Sequence, residues 1–217
     1  MNDAKISAWL TVQPRHRLGL AALAVAVSVG AGVATLPRFV VPEAGIYPFT
    51  DANTYRAAGE RLNQGRSLYA VGPGDRPVLR LASVSSAGII SPPPIAIAWR
   101  PLAALGDLGF LVWIVATWIA LLATVGYLVW RTGLLGFVTT VALLPSIGEQ
   151  LAVANMAAFF PGAMTLAWTL RGHAWAGVIV GILAAFKISP GALGGWMLGT
   201  RSWRAVTAGL LSIVFVV

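Results

Sequence analysis

Residues 18–36 read LGLAALAVAVSVGAGVATL, 19 positions from Leu18 to Leu36 without one charged side chain. As a helix this run would be about 28 Å long, close to the roughly 30 Å hydrocarbon thickness of a bilayer. It follows a polar stretch holding Lys5, Arg15, His16 and Arg17. A cleavable signal peptide is the competing reading, but its apolar region usually spans only about 7 to 15 residues. The run therefore reads as a first transmembrane helix, and it sets the class for the rest of the chain.

The composition agrees. Of 217 residues 58% are hydrophobic and only 10% are charged, whereas soluble domains carry about 25% charge. The 24 glycines and 13 prolines follow no collagen, heptad or solenoid period. The absence of cysteine from the sequence excludes disulfides, thiolate zinc sites and cysteine nucleophiles. The net charge of +8 is scattered between apolar runs, which suits orientation in a bilayer and argues against nucleic acid. The fold class is an all-α, polytopic membrane protein, a single integral membrane domain over 1–217.

Working outward from residues 18–36, the composition changes at 37–107. Eleven charged residues fall between Arg38 and Arg100, with Gly72-Pro73-Gly74 as punctuation, so the stretch reads as a large extramembrane loop. Within it Ala52 to Gln64 predicts a short helix, with Tyr55, Ala58 and Leu62 on one face, an Arg56/Glu60 pair at i,i+4, Thr50 or Asp51 as cap and Gly65 as stop. Ile95 to Leu105 is too short to span and is interrupted by Arg100 and Pro101, which places it in the interface or in a re-entrant segment.

Residues 108–217 read as a bundle of further, partly short transmembrane helices. The apolar segments are Gly109–Trp130, Gly133–Ile147, Leu151–Leu170, Ala174–Phe186, a Pro190–Gly199 piece and Ala205–Val217; with the first helix they make 7 spans. Alternating from a cytoplasmic N-terminus puts Arg131, Arg171 with His173, and Arg201 with Arg204 inside, in loops without acids. Asp51, Glu149 and Lys187 then share the outer side. Ala174–Phe186 has 13 residues, about 20 Å of helix, so its end stops below the surface and Pro190 forces a break. A single kinked span from Ala174 to Gly199 is the alternative, at the cost of placing Arg201 and Arg204 outside.

Two strings carry a resemblance. Asp51-Ala-Asn-Thr-Tyr55-Arg-Ala57-Ala58, then Gly65-Arg-Ser-Leu68-Tyr69, then Pro92-Pro93 and Pro101-Leu102 resemble the first external loop of polyprenyl-phosphate-mannose-dependent mannosyltransferases, GT-C superfamily enzymes of the glycosyltransferase family 87 type. Ala176-Gly177 through Gly181 to Lys187-Ile-Ser-Pro190, followed by Arg201-Ser-Trp203-Arg204-Ala205, is similar to a second block of that family. With Pro145 to Trp168 between them, the resemblance covers nearly everything after Tyr47. The chain departs from the family pattern at Ser91, where an aromatic is usual, and at Ala154-Asn155, where a Gly-Gln pair is usual. Such enzymes usually run longer, so the chain reads as the N-terminal part of one or as a truncated reading frame.

The resemblance implies sugar transfer from a polyprenyl-phosphate donor to a glycolipid or glycan hydroxyl at the outer face of the cell membrane, with the bilayer as partner and no cofactor. A phosphate leaving group needs a cation and no proton, and a hydroxyl nucleophile needs a base. Asp51 is the candidate catalytic base, against the plainer reading of an N-cap. Lys187 is the candidate donor-phosphate contact, against a snorkelling lysine at a helix end. Tyr55, Tyr69, Arg100 and Asn155 complete the substrate-binding set that the resemblance implies. Glu149 beside Gln150 reads as an ordinary linker acid. There is no D-x-D pair, and His16 and His173 fall inside, so no metal is expected. The alternatives are a transporter or lipid flippase component, since broken helices around a cation suit a substrate pathway, and a non-catalytic membrane scaffold.

Overall fold

Two helices are each long and apolar enough to cross a membrane, Arg15–Phe39 and Asp107–Thr132. The computed structural model describes residues 14–40, 48–68, 93–187 and 189–216. Every regular element among them is helical. In chain order they are α1 (Pro14–Thr35, extended by a 3-10 turn to Phe39), α2 (Thr50–Asn63), α3 (Pro93–Ala104) and α4 (Asp107–Thr132). After them come α5 (Leu134–Ala142), α6 (Leu144–Val153), a 3-10 turn (Met156–Phe159) and α7 (Phe160–Thr169). The last are α8 (Ala174–Phe186), a 3-10 turn (Ser189–Gly191), α9 (Ala192–Gly199) and α10 (Trp203–Val216). The chain is an all-α membrane protein.

The expected spans are redrawn between α4 and α8. The helices there have other bounds than the expected segments Gly133–Ile147 and Leu151–Leu170: α5 and α6 meet at a 63° bend and together are long and apolar enough for one broken span or a re-entrant loop. Pro145 stands in the first turn of α6, where its missing N–H costs nothing, so the chain restarts a helix there instead of continuing one. Glu149 and Gln150, expected in a linker, lie inside α6. The described helices thus supply 2 spans by length and composition, or 3 with the bent pair, while α8 and α10 are shorter apolar helices.

Faces follow from the side chains. On α4, Leu108, Leu111, Val115 and Ile119 are exposed at helical spacing, while Thr117, Leu121, Thr124 and Val125 point inward. The inward threonines donate back to carbonyls of their own helix, Thr117 to Ile114 at 2.8 Å and Thr124 to Ala120 at 2.7 Å, so their burial leaves no donor bare. An apolar outer face with small and hydroxylated residues inside is how helices associate where lipid removes the hydrophobic drive. The α1–α6 crossing uses Gly148: a Cβ there would stand 2.7 Å from Thr35 Oγ1 and 2.9 Å from the Ala31 carbonyl. Gly177 of α8 plays the same part, since a Cβ on it would run into the Ala205 carbonyl of α10.

The short helices of the 37–107 stretch stand on the bundle. Helix α2 begins two residues earlier than expected, and its apolar face carries Tyr55 and Ala58 into the core. Gly65 ends it in a left-handed conformation (φ 68°), with the Gly65 and Arg66 amides bonding back to Leu62 and Arg61. Arg56 pairs with Glu60 at 2.9 Å and also reaches Asp107 of α4 at 2.7 Å. Helix α3 is not interrupted at Arg100 and Pro101: it runs through both. Pro101 removes the bond to the carbonyl of Ile97, a residue on an exposed side of α3, and Asn63 clamps the neighbouring Arg100. Its Nδ2 donates to the Arg100 carbonyl at 2.9 Å while Arg100 Nε donates to Asn63 Oδ1 at 3.0 Å.

Candidate active site

Asp51 is the second residue of α2, yet neither it nor Thr50 caps the helix. The N-cap is Phe49, held left-handed at φ 64°, and its amide donates to the Ala152 carbonyl of α6 at 2.7 Å. The capping role expected of Asp51 therefore falls away, and its carboxylate turns to another partner: Asn155 Nδ2 donates to Asp51 Oδ2. Asn155 Oδ1 in turn accepts the Ala157 amide at 2.7 Å and so caps the following 3-10 turn. With both ends of its amide engaged, Asn155 has one orientation, and it fixes one oxygen of Asp51.

The segment presenting Asn155 is unusual. Ala154 ends α6 in a left-handed conformation (φ 51°, ψ 47°) and is fully buried. A helix end leaves carbonyls without partners, and here tertiary contacts supply them. Trp118 Nε1 donates to the Leu151 carbonyl at 3.0 Å, the Phe49 amide serves Ala152, and Trp113 Nε1 donates to the Ala154 carbonyl at 2.9 Å. Two tryptophans of α4 thus hold the turn beside Asp51. Trp130, by contrast, is exposed, with the Arg131 guanidinium 5.9 Å from its ring. No spacing in the sequence signals the indole–carbonyl bonds, because the acceptors are main-chain atoms chosen by the fold.

Beneath this lies an aromatic core. Trp99 is 0% exposed, and Tyr55 at 3% is walled by Trp99 and Trp113, with ring centroids 6.5 and 6.0 Å away. Tyr55 therefore stands in packing and not on an open face. Phe49 meets Phe110 edge-on at 6.4 Å. Trp99 Nε1 is buried without a hydrogen-bond partner among the described residues.

Burial among these groups pushes the Asp51 carboxyl above its ordinary value; the Asn155 hydrogen bond and the Lys187 charge pull it down, and Glu149 pushes it up. Lys187 and Glu149 thus both lie near enough for their charges to act on Asp51. Lys187 is the exposed C-cap of α8, in extended conformation, with its amide donating to the Leu183 carbonyl at 2.9 Å. A cation there is also favoured by the α8 dipole. Arg100 is not part of the cluster: it is held at Asn63, the last residue of α2, about 18 Å of helix from Asp51. Tyr69 lies outside the described residues.

The arrangement offers a partly desolvated carboxylate with one oxygen held, an ammonium whose charge acts on it, and aromatic packing around Tyr55. That set suits proton removal from a hydroxyl next to an anionic group. Residues 90–217 match the family model described as Glycosyltransferase family 87, a stretch that includes Asn155 and Lys187 and begins after Asp51. No curated protein and no solved structure matches the chain. As the match takes in more than half of an all-helical membrane chain, the chain belongs to glycosyltransferase family 87.

Proposed function

We propose that the chain carries the acceptor-activating part of a GT-C-type glycosyltransferase, moving a sugar, by the resemblance mannose, from a polyprenyl-phosphate donor to a glycolipid or glycan hydroxyl. The single observation that carries this reading is the Asp51–Asn155 bond within reach of the Lys187 charge, in a chain of family 87. Asp51 Oδ1, the oxygen not taken by Asn155, accepts the proton of the attacking hydroxyl. The acceptor oxygen bonds to the anomeric carbon as the bond from that carbon to the phosphate oxygen breaks. The electron pair leaves on the lipid phosphate, where Lys187 steadies the added charge. One displacement inverts the anomeric centre, and the proton passes from Asp51 to solvent. Asn155 is a positioning residue here, since both ends of its amide serve protein groups.

Two left-handed non-glycine residues, Phe49 and Ala154, flank the bond. Such backbones cost of order 1–3 kcal/mol each and collect where geometry is held for function, which supports the site. The basic short loops support a cytoplasmic N-terminus with this site on the external face of the cell membrane. The test is transfer of labelled mannose from polyprenyl-phosphate mannose to extracted glycolipid by membranes containing the full chain. Wild type should transfer and Asp51→Asn should not, at equal expression, because Asn keeps the hydrogen bonding but accepts no proton. Turnover retained by Asp51→Asn would remove the base. Transbilayer movement of the donor without any transfer would favour the transporter reading.

A further inference from the structure

At the end of α8 away from Lys187, two turns face one another. The α7–α8 turn brings Arg171, Gly172 and His173, and the α9–α10 turn brings Arg201, Ser202, Trp203 and Arg204, around a cleft of about 350 Å³. No acidic side chain among the described residues lines it. Arg201 and Arg204 have no side-chain hydrogen bond or ion pair among the described residues. Arg171 is braced from below: its Nη1 donates to the Trp168 carbonyl at 3.2 Å and its guanidinium lies 5.4 Å from the Trp168 ring. Arg201 is held at φ 56°, with the Trp203 amide donating to its carbonyl at 2.9 Å, so the turn is a fixed shape.

The cleft is built before any ligand arrives. Gly177 and Ala205 bring α8 and α10 into backbone contact within one turn of it, and Ala205 itself lines the wall. Three arginines line one concavity, where their like charges favour an anion between them, and their planar donors match phosphate oxygens. Trp203, 61% exposed on the rim, and Trp175, 66% exposed on the next turn of α8, fix the depth. Exposed indoles of a membrane protein sit at headgroup level, which is where lipid phosphates are and where soluble anions are scarce.

We propose that this cleft binds the phosphate of an anionic phospholipid, through Arg171, Arg201 and Arg204. The site is separate from Asp51: α8 alone puts about 20 Å between it and Lys187. It stands whether or not the glycosyl-transfer reading holds, and its test needs no turnover.

The experiment is native mass spectrometry of the full chain in an uncharged detergent, titrated with dioctanoyl phosphatidylglycerol, dioctanoyl phosphatidylcholine or inorganic phosphate. A saturable phosphatidylglycerol adduct is expected, weakened roughly tenfold or more in the Arg201→Gln/Arg204→Gln double variant and largely kept in Arg201→Lys/Arg204→Lys. Phosphatidylcholine, whose choline cancels the charge, should bind roughly tenfold less well. Equal adducts for the two lipids, or an unchanged affinity in the glutamine variant, would overturn the proposal. So would displacement of the lipid by equimolar inorganic phosphate, which would make this a soluble-anion site. Should the glutamine variant fold poorly, wild type alone decides: raising salt from about 50 to about 500 mM must weaken the phosphatidylglycerol adduct, and an indifferent adduct counts against the site.

Discussion

A carboxylate that is to take a proton must be ionised at working pH yet basic enough to be useful, and Asp51 is set between those demands by its neighbours. Burial raises its pKa, while Asn155 and Lys187 restrain the rise. Activity through Asp51 should therefore appear with an acid limb above the ordinary carboxylate value of about 3.9. Asn155→Leu should move that limb to higher pH, because the bond that favoured the charged form is gone; kcat/KM against pH measures it, and a limb that stays in place would leave Asn155 as a cap alone. The stability effect has the opposite dependence. A raised folded pKa leaves stability full below the unfolded value and loses it as pH rises through the folded value, so Asp51→Asn should flatten the loss seen in thermal melts across that window. Lys187→Met should weaken donor binding roughly tenfold or more, while Lys187→Arg, which keeps the charge, should retain part of it. Equal affinities for labelled polyprenyl phosphate in all three would make Lys187 a helix-end cation only.

At the scale of elements, the site depends on where α6 stops. Leu151, Ala152 and Ala154 end that helix with carbonyls that two tryptophans of α4 and the start of α2 satisfy. Trp113→Phe keeps an aromatic ring in the cluster but removes the N–H together with part of the indole's volume. It should cost about 1–3 kcal/mol by leaving a buried carbonyl unpaired, and because Ala154 precedes Asn155 it should lower kcat more than it raises KM. Thermal unfolding and steady-state kinetics read the two effects separately. A stable variant with wild-type kcat would show that the indole bond does not hold the turn. The sequence made α2 legible, from its Arg56/Glu60 pair to its Gly65 stop, since i,i+4 chemistry and a left-handed glycine are local. The end of α6 was not legible, because Ala154 is an ordinary helix former whose left-handed backbone is imposed by its partners.

For the whole molecule, the arrangement of short helices puts the acid–lysine cluster at one end of α8 and the basic cleft at the other. If Arg-bearing short loops face the cytoplasm, the cluster faces outward. The sequence contains no cysteine, so single cysteines can report this directly. Cysteine at Ser67 should react with a membrane-impermeant maleimide on intact cells, and cysteine at Gly172 only after permeabilisation. Both positions are exposed in the structure, so burial does not confuse the readout. The reverse pattern would invert the orientation and move the proposed transfer to the cytoplasmic face.

What the sequence determined alone is whatever depends on transfer free energy and local spacing. Those are the uncharged run from Leu18 to Leu36, the membrane class, the 13-residue helix ending before Lys187, and the candidates Asp51 and Lys187. Only the tertiary structure decided that Glu149 lies within a helix, that Pro101 leaves α3 intact, that Tyr55 is walled in by indoles and that Arg100 is held far from Asp51. It also decided that Asp51 gives up the cap to bond Asn155, 104 positions away. The physical reason is range: hydropathy and capping are sums over neighbours a few residues apart, whereas a carboxylate's partner and its burial are set by which helices pack together. Small residues such as Gly148 and Gly177 control that packing, and their roles show only against the neighbour they admit.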